Sequence, residues 1–210
     1  MARPRKDQQI DIPTRAIAQT ISLLNARDMR DITLADVAAA TGCRAPALYS
    51  YFANKDALLQ AVHDEGFRIL LREKLSVVVR NMSNPFVRLR EDGLAYLQFA
   101  LEYPGLYRLM FSPPYTERGT ENPFASNLGA ACLAELRSSI ELCQAEGYLP
   151  GADAVQTAFS LWSAVHGAAS LILLGRKPAL NDLAAAKGVI DTMMSFIQLS
   201  RVTAPNSSLR

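Results

Sequence analysis

Arg44, Tyr49, Tyr51 and Lys55 lie close together in this chain and bring a guanidinium, two phenols and an ammonium to one short stretch. These groups suit holding phosphate and reading base edges rather than making or breaking bonds. A guanidinium can pair bidentately with guanine. Phenol hydroxyls and ammonium groups reach phosphate oxygens and set the register of a protein on a duplex. Thr33 can add a hydroxyl, while the small Ala45 and Ala47 allow close approach.

The surrounding sequence, ITLADVAAATGCRAPALYSYFANKDALL from Ile32 to Leu59, predicts the elements that position them. Thr33 stands at an N-cap, with Asp36 three residues on near the positive helix end. Leu34, Val37 and Ala38 repeat at helical spacing and predict one buried stripe. Gly42 follows where a left-handed backbone ends the helix. A second short helix then turns Cys43, Leu48 and Phe52 inward and leaves Arg44, Ala45, Ala47, Tyr49, Ser50 and Tyr51 outward. Pro46 suits its first turn. Asn54 caps the next helix, and Lys55 in the first turn opposes the helix dipole unless an anion such as phosphate neutralises it. Short helix, glycine turn, short helix is the layout of a helix-turn-helix.

GCRAPALYSYFANKDAL, Gly42 to Leu58, resembles the signature of the tetracycline-repressor-type (TetR) family, and the similarity reaches back to Pro13. The resemblance implies a homodimeric transcriptional regulator, usually a repressor, that leaves a palindromic double-stranded DNA operator when a small molecule binds the C-terminal domain. Carried over by position, the expected DNA contacts are Thr33, Arg44, Ala45, Ala47, Tyr49, Tyr51 and Lys55. The alternative is a helical ligand-binding or interaction module that no longer binds DNA.

With 210 residues, half of them hydrophobic, the chain can bury a substantial core. Its net charge is only +2, so no broad basic field advertises nucleic acid. Basic charge is local: Arg3, Arg5 and Lys6 can follow a backbone or enter a minor groove, or form a plain solvated tail. Cys43, Cys132 and Cys143 have no metal-ligand spacing. Reduced buried thiols fit a cytoplasmic protein. Neither a secretory signal nor a membrane span is expected.

Helical spacing runs nearly throughout, so an all-α fold is expected. Helices are predicted from Pro13 to near Arg27 and from Lys55 to about Val79. A break at Asn81–Asn84 precedes a helix opened by Pro85 and stopped at Tyr103-Pro104-Gly105. An aromatic turn, Leu106 to Phe111, leads to a loop over Ser112–Asn122. Further helices are expected over Pro123–Glu146, Ala152–Leu174 and Asn181–Leu199, with Gly175 as a cap. The expected domains are a three-helix DNA reader at 1–55, a helical bundle for ligand and dimerisation at 56–202, and a tail at 203–210.

The last two helices are poor in charge and rich in Ala, Ser and Gly, which favours a two-fold four-helix interface with a second chain over a monomer core. Trp162-Ser163-Ala164-Val165-His166-Gly167, with LEYPGLYRLMF upstream, resembles the C-terminal domain of a TetR subgroup marked by a Trp, a His and a Gly. Phe99, Tyr103, Tyr107, Met110, Phe111, Phe159, Trp162 and His166 either line a pocket for an apolar or aromatic effector or form packed core. No cofactor is implied. HExxH, GxSxG, P-loop and paired-carboxylate patterns are absent, and His63 and His166 each stand alone, so no enzyme is expected.

Overall fold

A computed structural model describes residues 11–111 and 127–202. The basic arm, the 112–122 loop, the expected helix start at Pro123 and the tail from Thr203 lie outside the described residues. Within them the chain is helical and has no strand. The helices are α1 (Ile12–Ala26), α2 (Leu34–Thr41), α3 (Ala45–Tyr49), α4 (Lys55–Arg80), α5 (Pro85–Glu102), α6 (Pro104–Phe111), α7 (Asn127–Ala145), α8 (Ala154–Leu173) and α9 (Asp182–Leu199). A 3-10 turn, Met29–Asp31, precedes α2.

Most helix starts follow from local side chains. Asp11, Asp153 and Asn181 each accept a backbone N–H from three residues ahead, at α1, α8 and α9. Asn54 does the same for α4, accepting from Ala57 at 2.8 Å. Leu174 caps α8, and Gly175 follows with φ 67°. The segment expected to be an aromatic turn after Glu102 is a regular helix, α6. Pro104 occupies its first position, where a missing N–H costs nothing.

The described residues form two compact units. The first comprises residues 11–67 and 103–111, hence α1, α2, α3, the start of α4, and α6. Its core includes Ala16, Leu24, Val37, Leu48, Leu58, Val62 and Phe67, with Leu106 and Leu109 from α6. The second comprises residues 68–102 and 127–202, hence the rest of α4 with α5, α7, α8 and α9. Leu70, Val77, Leu97, Ala100, Ile140, Ala169 and Ile190 are buried there. The division expected at the start of α4 therefore lies inside that helix, and α6 returns to the first unit.

That return depends on one glycine. A Cβ at Gly105 would overlap the backbone carbonyl of Leu24 in α1. The Gly105 N–H also donates to Asn25 Oδ1 at 3.2 Å. Gly42 is required for a different reason. It has φ 76° and its N–H and that of Cys43 satisfy the last carbonyls of α2, while nothing but an Arg15 nitrogen at 3.8 Å lies near an added Cβ.

Candidate nucleic-acid interface and cavity

In the first unit, α2 is started by a complete capping box. Thr33 Oγ1 accepts the Asp36 N–H at 3.2 Å, and the Thr33 N–H donates to Asp36 Oδ2 at 2.8 Å. The Thr33 hydroxyl also donates to Asp36 Oδ2 at 2.6 Å, and this bond first, with the Thr33 N–H second, holds the Asp36 carboxyl below the usual carboxylate range. The glycine turn then leads into α3, with Arg44 at its N-cap position and Pro46 in its first turn. Leu48 is fully buried and Phe52 nearly so, anchoring α3 from one side. The opposite side carries Arg44, Tyr49, Ser50 and Tyr51, all exposed, and both tyrosines are 54% exposed. Ala45 and Ala47 are half-buried between these faces. Tyr49 ends this five-residue helix and Tyr51 follows it, and large aromatic side chains so open to solvent contribute little to the fold. They suit contact with a partner.

Thr33 is exposed at the N-terminus of α2. Lys55 has a structural bond that sequence reasoning did not anticipate: its Nζ donates to the Met29 carbonyl at 2.7 Å and lies 3.5 Å from that of Arg30. It ties the first turn of α4 to the 3-10 turn before α2. The ammonium is half-buried, so the contact expected with phosphate would have to share it.

The eight residues expected around one effector pocket fall in both units. Tyr103, Tyr107, Met110 and Phe111 belong to the first, where Tyr107 and Met110 are buried and Phe111 meets Phe67 edge-on at 5.7 Å. Helical spacing could not reveal this, because it depends on the fit of Gly105 against Leu24. Phe99, Phe159, Trp162 and His166 belong to the second unit. Phe99 is buried core, whereas Phe159 is 56% exposed.

The second unit contains a small, partly open cavity of about 50 Å³, several times the space that one water needs. Trp162 is the one member of the expected set on its wall. Leu89, Leu136, Leu161, Val165, Ile190, Met193, Met194 and Ile197 supply its apolar lining. Tyr96, Lys74 and Asp92 are its polar groups, beside the indole of Trp162. The Lys74 ammonium contacts both Asp92 oxygens at 2.6 Å, and both residues are about 95% buried, at 5% exposure each. Trp162 Nε1 donates to the Tyr96 hydroxyl at 3.3 Å, and that hydroxyl lies 3.0 Å from His166 Nδ1. Burial pushes the His166 imidazole below its ordinary value, which favours the neutral ring needed to accept the tyrosine proton.

Lys74 and Asp92 were missed in the sequence, yet a signal was there. Lys74 sits on the buried stripe of Leu70 and Val77, and Asp92 on that of Leu89 and Tyr96. Opposite charges at core positions of two helices call for each other. Nearby Cys132 is buried, and burial pushes its thiol up to about 11, as it does that of Cys143. Both thiols are therefore protonated and inert. No group of His, Cys, Asp and Glu suited to a metal ion occurs among the described residues, and no described helix is long and apolar enough to cross a membrane.

Residues 16–62 match the model of bacterial regulatory proteins of the tetR family. Residues 89–193 match the tetracyclin repressor-like C-terminal domain. No curated protein matches the chain. Among solved structures, a protein of unknown function from Rhodococcus sp. RHA1 is similar with TM-score 0.78 and 21% identity, covering 92% of this chain and 99% of that one. A TetR-family transcriptional regulator from Pectobacterium atrosepticum has TM-score 0.70 and 18% identity over 96% of this chain and 100% of its own. AibR in complex with isovaleryl coenzyme A and operator DNA has TM-score 0.64 and 20% identity over 87% of this chain and 97% of its own. At these identities the structural likeness shows the fold. The two family matches show more: the chain belongs to the TetR family of DNA-binding, ligand-responsive transcriptional regulators, which are not enzymes.

Proposed function

We propose that this protein is a homodimeric cytoplasmic repressor that holds a palindromic operator through α2 and α3 and leaves it when a small, largely apolar effector fills the cavity of the second unit. The observation that carries the DNA half is the outward face of α3, where Arg44, Tyr49 and Tyr51 are exposed while Leu48 anchors the helix. Thr33, Ala45, Ala47 and Lys55 complete the contact set. Tyrosine and lysine grip phosphate; Arg44 reads a base edge.

Dimerisation is supported by the open faces of α8 and α9. Val155, Phe159 and Leu171 on α8, and Leu183, Phe196 and Leu199 on α9, are exposed. An added Cβ at Gly167 or Gly188 would meet nothing within 4 Å. A second copy covering these faces should bury well over about 1,000 Å² and present two DNA readers about one turn of duplex apart.

The effector half rests on the cavity and on continuity of the chain. Lys55 and Lys74 stand on one helix, α4, the first in the DNA-reading unit and the second on the cavity wall. A ligand that favours one arrangement around Lys74 can bias the reader only by its differential affinity for the two states. A coupling of about 1–3 kcal/mol would change operator affinity roughly 5–150-fold. AibR, with isovaleryl coenzyme A and operator DNA, offers a precedent within the fold for a regulator with both kinds of ligand.

The test is binding of purified protein to the DNA upstream of its own gene, measured against random duplex over a salt series. Specific binding should fall steeply with salt. Arg44→Ala should cost on the order of 1–3 kcal/mol and relax preference at one base position per half-site, whereas Tyr49→Phe should weaken all sites alike. Equal binding of wild type to upstream and random DNA, or a monomer at micromolar concentration by sedimentation, would overturn the reading.

A further inference from the structure

The cavity's charge balance indicates what it admits. Its buried formal charges are one ammonium, Lys74, and one carboxylate, Asp92, at 2.6 Å from each other. The pair is neutral as it stands. An anionic ligand beside Lys74 would leave one excess negative charge in an apolar space, and a cationic ligand beside Asp92 one excess positive charge. Either excess is strongly unfavourable away from water. A neutral oxygen carries no such penalty. An ammonium has three N–H donors, of which the two Asp92 oxygens take two, and a carboxylate accepts more bonds than two. A hydroxyl can accept from Lys74 and donate to Asp92 at once. The neighbouring Tyr96 hydroxyl is already engaged by Trp162 and His166, so it keeps the wall polar but uncharged.

We propose that the effector is an uncharged amphiphile, with a hydrocarbon body against Leu89, Leu136, Ile190 and Met194 and a hydroxyl head on the Lys74–Asp92 pair. The inference rests on the reading of this cavity as the effector site. Lys74 and Asp92 are then the residues that set effector specificity, and they do so by cancelling each other.

Trp162, the sole tryptophan, reports directly from the cavity wall. Straight-chain 1-alkanols, with the alkanoates and alkylammonium ions of the same lengths, are titrated at neutral pH while its emission is followed. In wild type the alkanol should bind at least roughly tenfold more tightly than either charged partner. In Asp92→Asn the buried ammonium has lost its counter-ion, and preference should switch to the alkanoate, which should also raise that variant's melting temperature. In Lys74→Met it should switch to the alkylammonium. The double variant Lys74→Met/Asp92→Leu, with an apolar wall in place of the pair, should fold and bind the alkanol roughly tenfold more weakly than wild type does. Charged probes binding wild type as well as the alkanol, or no switch in Asp92→Asn, would overturn the inference while leaving the cavity as the effector site. Silence of Trp162 toward every probe in every variant would overturn the site itself, and the inference with it.

Discussion

The two units bury polar groups in different ways. Among the described residues of the DNA-reading unit, the buried polar ones are Thr20, Thr41 and His63. Each threonine hydroxyl donates to a carbonyl one turn back in its own helix, to Ala16 and Val37, both at 2.7 Å. These bonds need no other element. In the second unit the buried polar residues include Lys74, Arg88 and Asp92, whose partners lie on other helices. Lys74 of α4 pairs with Asp92 of α5, and Arg88 of α5 lies 3.3 Å from Glu135 of α7. Arg88 Nε, buried, has no hydrogen-bond partner among the described residues. A unit whose buried threonines are satisfied within their own helices can present a fixed surface to DNA. A unit that depends on charges matched between helices is one that a small molecule can perturb.

The largest effect should come from breaking a match in the second unit. Asp92→Ala leaves the Lys74 ammonium buried without its partner and should cost about 3–5 kcal/mol. Lys74→Met/Asp92→Leu removes both charges and should stay within about 1 kcal/mol of wild type or gain stability. Chemical denaturation followed by circular dichroism measures both. Equal losses in the single and double variants would mean that the pair serves only as packing, and the contrast between the units would fail.

Next comes a steric probe in each unit. Gly105→Ala drives a methyl group into the Leu24 carbonyl, which is backbone and cannot rotate away. It should cost about 3 kcal/mol and weaken DNA binding, since α6 is part of the reader's core. At Gly93 the added methyl meets the Ile190 Cδ1 at 2.7 Å, the free end of a side chain that can change rotamer. Gly93→Ala should cost under about 1.5 kcal/mol and leave DNA affinity unchanged. The same measurements, with operator binding added, decide it.

A smaller effect isolates local structure. Thr33→Ala removes one half of the capping box and should cost about 1 kcal/mol. Because Thr33 is also a proposed DNA contact, Thr33→Ser separates the roles. Serine should restore stability, and the affinity that it fails to restore belongs to the missing methyl group.

The same contrast explains what could be read from the sequence. The helix-turn-helix was legible because its determinants are near neighbours: Thr33 with Asp36, Gly42 after α2, Asn54 before α4. The helical class, and most boundaries to within a few residues, followed from spacing and caps. Of the cavity proposed as the effector site, only Trp162 was legible. Tyr107 and Met110 have the composition of a pocket but are packed in the first unit, a placement decided by a close approach between residues distant in sequence, Leu24 and Gly105. The Lys55 bond to the Met29 carbonyl is hidden for the same reason. Nothing in the amino acid at position 55 reveals which carbonyl will be nearby.

The smallest predicted effect is a pH response confined to the second unit. His166 is held below its ordinary value of 6.5 by burial, so the folded protein keeps the ring neutral at a pH where the unfolded chain has begun to protonate it. Between the folded value and 6.5 the unfolded state binds more protons, so stability from this group falls as pH falls through that window. Above 6.5 both states are neutral and the contribution is flat. Protonation also places a hydrogen on Nδ1, which can then no longer accept from the Tyr96 hydroxyl 3.0 Å away. Tyr96 must turn, and Trp162, whose indole nitrogen donates to that hydroxyl, must change its surroundings. Acidification from neutral should therefore shift Trp162 emission before the protein unfolds, and His166→Gln should abolish the shift. The first unit contains no tryptophan and its recognition face has no histidine, so specific DNA binding without effector should be nearly flat over the same window. An emission shift that persists in His166→Gln would place the titrating group elsewhere. A parallel loss of operator binding in wild type but not in His166→Gln would instead show that this relay, and not only the Lys74–Asp92 pair, communicates with the reader.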